Sequence, residues 1–290
     1  MTARTLGAGD LVLCAGTLPR DTPWSERLAA ASSAGFSGIS VWARDYAAAR
    51  RDGWTGADLR AQLDDHGLAV AELDPAWWWT PGEVDVASLV AIDTMEVFRY
   101  GEADMFAIAD ALGARSINAA DVLGGEWGVD DAAEAFAGLC DRAAEHGLLV
   151  HLEFLPWSRI ADLTTAWEVV SRADRPNGGV AVDAWHWFRS DTPSDLAALH
   201  AIPGAKVLAV QLDDAPAEPE PNLMSATLHR RLLPGEGAID LAALVGALRA
   251  IGTAAPIGVE VFSDELHALG PVEAAQRAAD STRAVLARVP

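Results

Sequence analysis

Four short stretches each set an oxygen-bearing side chain into an apolar run: Glu153 in "HLEF", Asp183 in "VDAWH", Gln211 in "VQLDD" and Glu260 in "GVEVF". A carboxylate buried among valines and tryptophans without a partner is costly, so its presence implies a partner or a task. Three acids and an amide gathered in one place would repel one another, whereas a divalent cation turns the same set into a coordination shell. Such a centre suits proton transfer beside a carbonyl, with the cation polarising the carbonyl and carboxylates serving as base and acid. Reprotonation at the neighbouring carbon isomerises, reprotonation on the opposite face epimerises, and loss of a β-hydroxyl dehydrates.

Convergence requires elements that carry these residues to one end of the molecule. Strand-like runs over 11–16, 38–41, 69–74, 116–121, 148–154, 179–187, 206–214 and 256–262 alternate with helical patterns. The helices are expected over 24–34, 55–65, 91–112, 130–146, 162–173, 193–201, 239–252 and 271–288. Glycine recurs at the helix-to-strand joints ("SAGFSGI", "DDHGLAV", "ALGARSI", "EHGLLV"), as helix C-caps require. Apolar strands alternating with amphipathic helices call for a parallel sheet covered by helices. Eight such units predict an α/β fold, a single (β/α)8 TIM barrel over 1–290, with functional residues at the carboxyl ends of the strands. A doubly wound sheet would carry a Gly-rich nucleotide loop, and no G-x-G-x-x-G follows the first strand. The one long irregular connection, the βα7 loop at about 213–238, is expected on the catalytic face.

The series "HLEFLPW", "VDAWHW", "VQLDD", "RLLPGEG" and "GVEVF" resembles the motifs of the sugar phosphate isomerase/epimerase family, the xylose isomerase-like barrels. The resemblance covers nearly the whole chain and is strongest from 148 to 264. It implies one divalent ion on strands five to eight, held by Glu153, Asp183, Gln211 and Glu260, with Glu153 and Glu260 as catalytic base and acid. It adds His186 and Arg231 as catalytic residues, with Arg230 as the neighbouring alternative to Arg231. Where many members carry His, this chain has Gln211. An all-oxygen shell favours Mn²⁺ or Mg²⁺, with Co²⁺ or Zn²⁺ as alternatives. Gln at this point is also similar to a dehydratase branch, the 3-dehydroshikimate dehydratases. The expected activity is therefore isomerisation or epimerisation of a sugar-like or cyclic polyhydroxy compound. The alternative is a metal-dependent lyase, dehydratase-like or C-glycoside-cleaving, using the same site.

The formal charge of −21, from 42 acidic against 21 basic residues, repels nucleic acid and anionic membranes. It weighs against an endonuclease IV-like repair enzyme on the same fold, and a small-molecule substrate is expected. No apolar stretch is long enough to span a membrane, and no cleavable leader is expected. Cys14 and Cys140 form no motif, which suits a reduced, cytoplasmic setting. A homodimer or a hetero-oligomer is compatible with the sequence. Among eleven tryptophans, Trp77, Trp78 and Trp79 follow strand three in "DPAWWWTPG". With Trp42, Trp157 and the polar wall residue Asn118 they are expected to bind substrate, the alternative being packing against the helix ring. His151, two positions before Glu153, is expected to face that carboxylate.

Overall fold

The computed structural model describes residues 5–82, 96–122, 126–190 and 196–289. Eight strands are present: β1 (Leu11–Leu13), β2 (Gly38–Trp42), β3 (Ala69–Ala76), β4 (Ser116–Ala120), β5 (Leu149–Glu153), β6 (Gly178–Asp183), β7 (Val207–Leu212) and β8 (Ile257–Val259). All pair in parallel with their sequence neighbours, and β8 returns to β1, closing the barrel. Their side chains are almost all buried, the signature of a sheet covered on both faces. One apolar cluster joins Ile39, Leu73, Ile117, Val150 and Val210 on the strands to Leu28, Leu59, Phe136 and Leu244 on the helices. The stabilising core thus lies between the strands and the outer helices, away from the mouth.

Local chemistry sets the helix ends. The helix Glu102–Leu112 ends on Gly113, whose φ of 66° suits glycine and whose N–H donates to Ala109 O at 2.7 Å. The helix Val129–Glu145 begins with Asp130 and Asp131 and carries Arg142 in its last turn, charges that complement its dipole. Among the described residues no helix is long and apolar enough to cross a membrane.

Three expected boundaries are corrected. The apolar run 179–187 is not strand to its end: β6 stops at Asp183 and the helix Ala184–Arg189 follows, so His186 is helical. The 213–238 connection is not irregular throughout. It contains the helix Leu223–His229, capped by Asn222, and an antiparallel bridge between Asp214 and Leu232. The helix expected over 91–112 begins at Glu102, after a 3-10 turn at Val97–Arg99, and the first part of that expectation, 91–95, lies outside the described residues.

Candidate active site

Register brings the four strand-end residues together. Asp183 on β6 lies opposite Gln211 on β7, Glu153 ends β5, and Glu260 directly follows Val259, the last residue of β8. Asp183 is fully buried and both its oxygens are engaged. Oδ1 accepts from the backbone N–H of His186 at 2.8 Å, capping the short helix whose His186 side chain lines the cavity. Oδ2 accepts from Arg231 Nη1 at 2.7 Å. The apolar run therefore breaks at Asp183 because its side chain competes for the backbone.

The βα7 connection positions Arg231. Asp214 accepts from the backbone N–H groups of Ala215, Gly235 and Ile239 at 2.8, 3.0 and 3.0 Å, fixing the "PGEG" turn. Arg231 N–H donates to Phe262 O at 2.9 Å, tying the loop to the segment after β8. Its guanidinium is then clasped by Asp183, by Asp213 at 2.6 Å, by Glu260 Oε2 at 3.5 Å and by both oxygens of Thr227 at 2.8 and 3.0 Å. Arg231 is buried, whereas Arg230 is exposed, so the inward arginine is Arg231. It is not free to hold a substrate oxygen: its charge is spent on the acids of the barrel.

On the opposite side, Asn118 donates to Glu153 Oε2 at 2.6 Å and to Asp74 Oδ1 at 2.9 Å, and Trp42 Nε1 donates to Asp74 Oδ2 at 3.0 Å. Asn118 thus orients Glu153, and Trp42 anchors Asp74 while stacking on Phe262 at 6.0 Å. His151 does not pair with Glu153; its Nε2 lies 3.0 Å from Glu72 Oε2, deeper in the barrel.

Charges follow these contacts. Burial would raise Asp183, but Arg231 and the His186 environment bring its carboxyl below the usual value. Burial pushes Glu153 well up, reinforced by Asp74 and Asp183. It does the same to Glu260 and Asp213, and Arg231 offsets this only in part. Burial drives the His186 imidazole down to about 4, against the pull of Asp183, so the ring is neutral at pH 7.

Ligand-type atoms of Glu153, Asp183 and His186 all lie within 4.8 Å of one another, an arrangement that could hold a metal ion. His186 Nε2 is 3.5 Å from Glu153 Oε1. Gln211 Oε1 and Asp213 Oδ1 are buried and have no hydrogen-bond partner among the described residues. Orphaned buried oxygens beside a knot of acids fit a cation.

Above this floor opens a cavity of about 470 Å³, lined by Asp74, Glu153, His186, Arg231 and Glu260 below and by apolar side chains above. Trp157 lines it; Trp42, Trp77, Trp78, Trp79 and Asn118 are not among the lining residues. Trp77 donates to Val97 O and Tyr100 O, each at 3.1 Å. Trp78 donates to Glu102 at 2.8 Å, and Trp79 donates to Ala120 O and packs edge-on against Phe136. Their indole N–H groups are all taken by acceptors of the 3-10 turn, the helix Glu102–Leu112 and the end of β4, and none of the three rings lines the cavity. Sequence reasoning missed Asp74, Asp213, Thr227, Phe98, Leu228 and Phe262. Asp74 and Asp213 stand at the ends of β3 and β7, so the strand-end rule applied to every strand could have found them.

The closed eight-stranded barrel thus gathers acids and an amide at the carboxyl ends of β5 to β8, with an imidazole from the helix after β6, in an arrangement that could hold a metal ion. The pattern described as xylose isomerase-like TIM barrel matches residues 28–285, and the chain belongs to this family. The 3-dehydroshikimate dehydratase of Pseudomonas aeruginosa is 30% identical over 290 residues, 95% of this chain but 40% of that protein. The chain therefore spans less than half of that relative. The inosose isomerase of Bacillus subtilis is 32% identical over 152 residues, 52% of this chain and 53% of that enzyme. A crystal structure of the IolI protein with a bound zinc atom has the same fold, with a TM-score of 0.82 over 97% of this chain and 99% of that one at 22% identity.

Proposed function

We propose that this chain is a divalent-metal-dependent isomerase or epimerase that moves a proton beside the carbonyl of a sugar-like or cyclic polyhydroxy compound. The observation that carries this reading is the meeting of Glu153, Asp183 and His186 within 4.8 Å, with the orphaned Gln211 oxygen on the adjacent strand. Glu153, Asp183, Gln211 and Glu260 would hold the ion, with His186 beside them. Mn²⁺ or Mg²⁺ suits the oxygen donors, and the imidazole extends the choice to Co²⁺ or Zn²⁺. When bound, the ion supplies a Lewis acid for the carbonyl and an adjacent hydroxyl.

The protein's own groups do the rest. Glu153, oriented by Asn118, and Glu260, on the other side of the barrel mouth, accept and return the proton. Arg231 keeps Asp183 ionised and holds Glu260. The inosose isomerases among the relatives support an isomerase acting on a cyclic polyol ketone.

Elimination by the same site is the second reading, favoured by a match to the dehydratases that runs along 95% of this chain. Incubation in D₂O with candidate ketones, with and without a chelator, tests both. Metal-dependent deuterium uptake beside the carbonyl is expected, and Glu153→Gln should lower its rate at least a hundredfold. A deuterated isomer identifies isomerisation or epimerisation, and a new conjugated chromophore identifies elimination. Exchange that persists unchanged in the chelator or in Glu153→Gln would refute the proposal.

A further inference from the structure

The chemical character of the substrate can be read from how the cavity is divided. Its floor is polar and ionic, but its walls are Phe98, Val122, Leu155, Trp157, Leu228 and Phe262. At about 470 Å³ the space is that of a small-molecule site. A bare polyol filling it would turn outward hydroxyls toward these side chains, losing their bonds to water without gaining partners. A flat apolar group in the same place would instead bury its surface against aromatic and aliphatic walls.

The lining also lacks a cation for an anionic ligand. Among the described lining residues Arg231 is the one lysine or arginine, and Asp183, Asp213, Glu260 and Thr227 already take its donors. The stretches 83–95, 123–125 and 191–195, outside the described residues, contain no lysine or arginine at all. Charge brought by a divalent ion would be offset by the carboxylates that bind it. A substrate carboxylate or phosphate therefore meets acids and hydrocarbon, whereas carboxylate and phosphate recognition ordinarily uses a free guanidinium or ammonium.

We infer that the substrate is an uncharged polyhydroxy ketone carrying a flat apolar group at the end remote from its carbonyl. The carbonyl end sits on the floor and the apolar end between the walls, with Met224 and Leu228, from the helix Leu223–His229, closing one side. This inference rests on the proton-transfer reading for which end enters first. It also separates the chain from a dehydratase of shikimate-type acids, whose substrate carries a carboxylate.

Calorimetric titration of the Mn²⁺-loaded protein with three ketones tests it. The probes are a neutral polyhydroxycyclohexanone, the same ring bearing a carboxylate, and a phenyl glycoside oxidised to a ring ketone. The phenyl ketone should bind at least tenfold more tightly than the bare ring, and the carboxylated ring at least tenfold more weakly. Leu228→Asn and Met224→Gln should each weaken the phenyl ketone severalfold, and the bare ring by less. A carboxylated ring that binds as tightly as the neutral one would overturn the inference, as would a phenyl group that adds nothing. So would equal losses for both neutral ketones in the two variants. Deuterium uptake measured on the same samples judges the other reading separately. Absence of exchange with every ketone would sink proton transfer, while the order of affinities would still decide the substrate class.

Discussion

Asp183 and Asp74 are both carboxyls at the ends of barrel strands, each engaged through both oxygens, yet the two sides of the mouth treat them in opposite ways. On the β6–β8 side Asp183 meets the Arg231 guanidinium at 2.7 Å and its pKa falls. On the β3–β5 side Asp74 receives only neutral donors, from Trp42 and Asn118. Burial and the nearby Glu72 push it up to about 6. Neutral hydrogen bonds soften the loss of water but do not replace a counter-charge. Even beside the cation the supply is short: Asp213 and Glu260 share Arg231 with Asp183 and still stay raised. One guanidinium fully satisfies one acid. The rest, Glu153 among them, lie where a second cation would be most stabilising, which is the physical case for a metal ion in this mouth.

The largest effect should come from removing the cation that one side depends on. Arg231→Met would leave Asp183, Asp213 and Glu260 without their partner, at a cost of about 3–5 kcal/mol in the metal-free protein. Urea unfolding at pH 7 in a chelator measures it, and Arg231→Lys should lose less because the charge remains while the planar fork is lost. The deficit in Arg231→Met should shrink as the pH is lowered and the carboxyls neutralise. A variant as stable as the wild type at pH 7 would mean that the three acids are already protonated there, and the contrast with Asp74 would collapse.

A second, smaller effect lies on the neutral side and has the opposite pH dependence. The folded protein holds a proton on Asp74 up to about pH 6, whereas the ordinary value is 3.8. Between these values the folded state binds more protons than the unfolded chain, so stability falls as the pH rises through this window. Asp183, with its lowered pKa, contributes the reverse: stability that is present above its ordinary value and lost on acidification. In chelator, Asp74→Asn should flatten the fall in urea midpoint between pH 4 and 6, while a fall as steep as in the wild type would assign it to other acids.

This division was only half legible in the sequence. Buried parallel strands are near-continuous apolar runs, so the eight units and the oxygens of Glu153, Asp183, Gln211 and Glu260 stand out against them. The same signal misleads at "VDAWHW", because an apolar run does not distinguish strand from helix; only the capping bond from His186 N–H to Asp183 settles the boundary. Asp74 was hidden by the proline and tryptophans that follow it, and Asp213 by the adjacent Asp214, which serves the loop instead. Position after a strand places the tryptophan triplet near the mouth but does not say where its rings point. That depends on Val97, Tyr100, Glu102 and Ala120, acceptors distant in sequence. The guanidinium shared among β6, β7 and β8 is likewise a product of the folded βα7 connection rather than of any local motif.

The smallest expected change tests whether the neutral donors matter at all. Trp42 gives Asp74 one of its two side-chain hydrogen bonds, at 3.0 Å, while its ring stacks on Phe262 and lies under the Arg44 guanidinium at 4.9 Å. Trp42→Phe keeps an aromatic ring there and deletes the N–H. The bond favours the ionised carboxyl, so its loss should move the Asp74 pKa upward and extend the fall of stability to higher pH. At pH 7 the metal-free variant should be about 1 kcal/mol less stable, the net contribution of one hydrogen bond. Much of that difference should vanish near pH 4, where Asp74 is protonated in the folded wild type as well. Chelator-treated samples unfolded in urea at the two pH values give the comparison directly. A loss of equal size at both would trace to packing of the smaller ring, and the indole N–H would then have no part in setting the charge of Asp74.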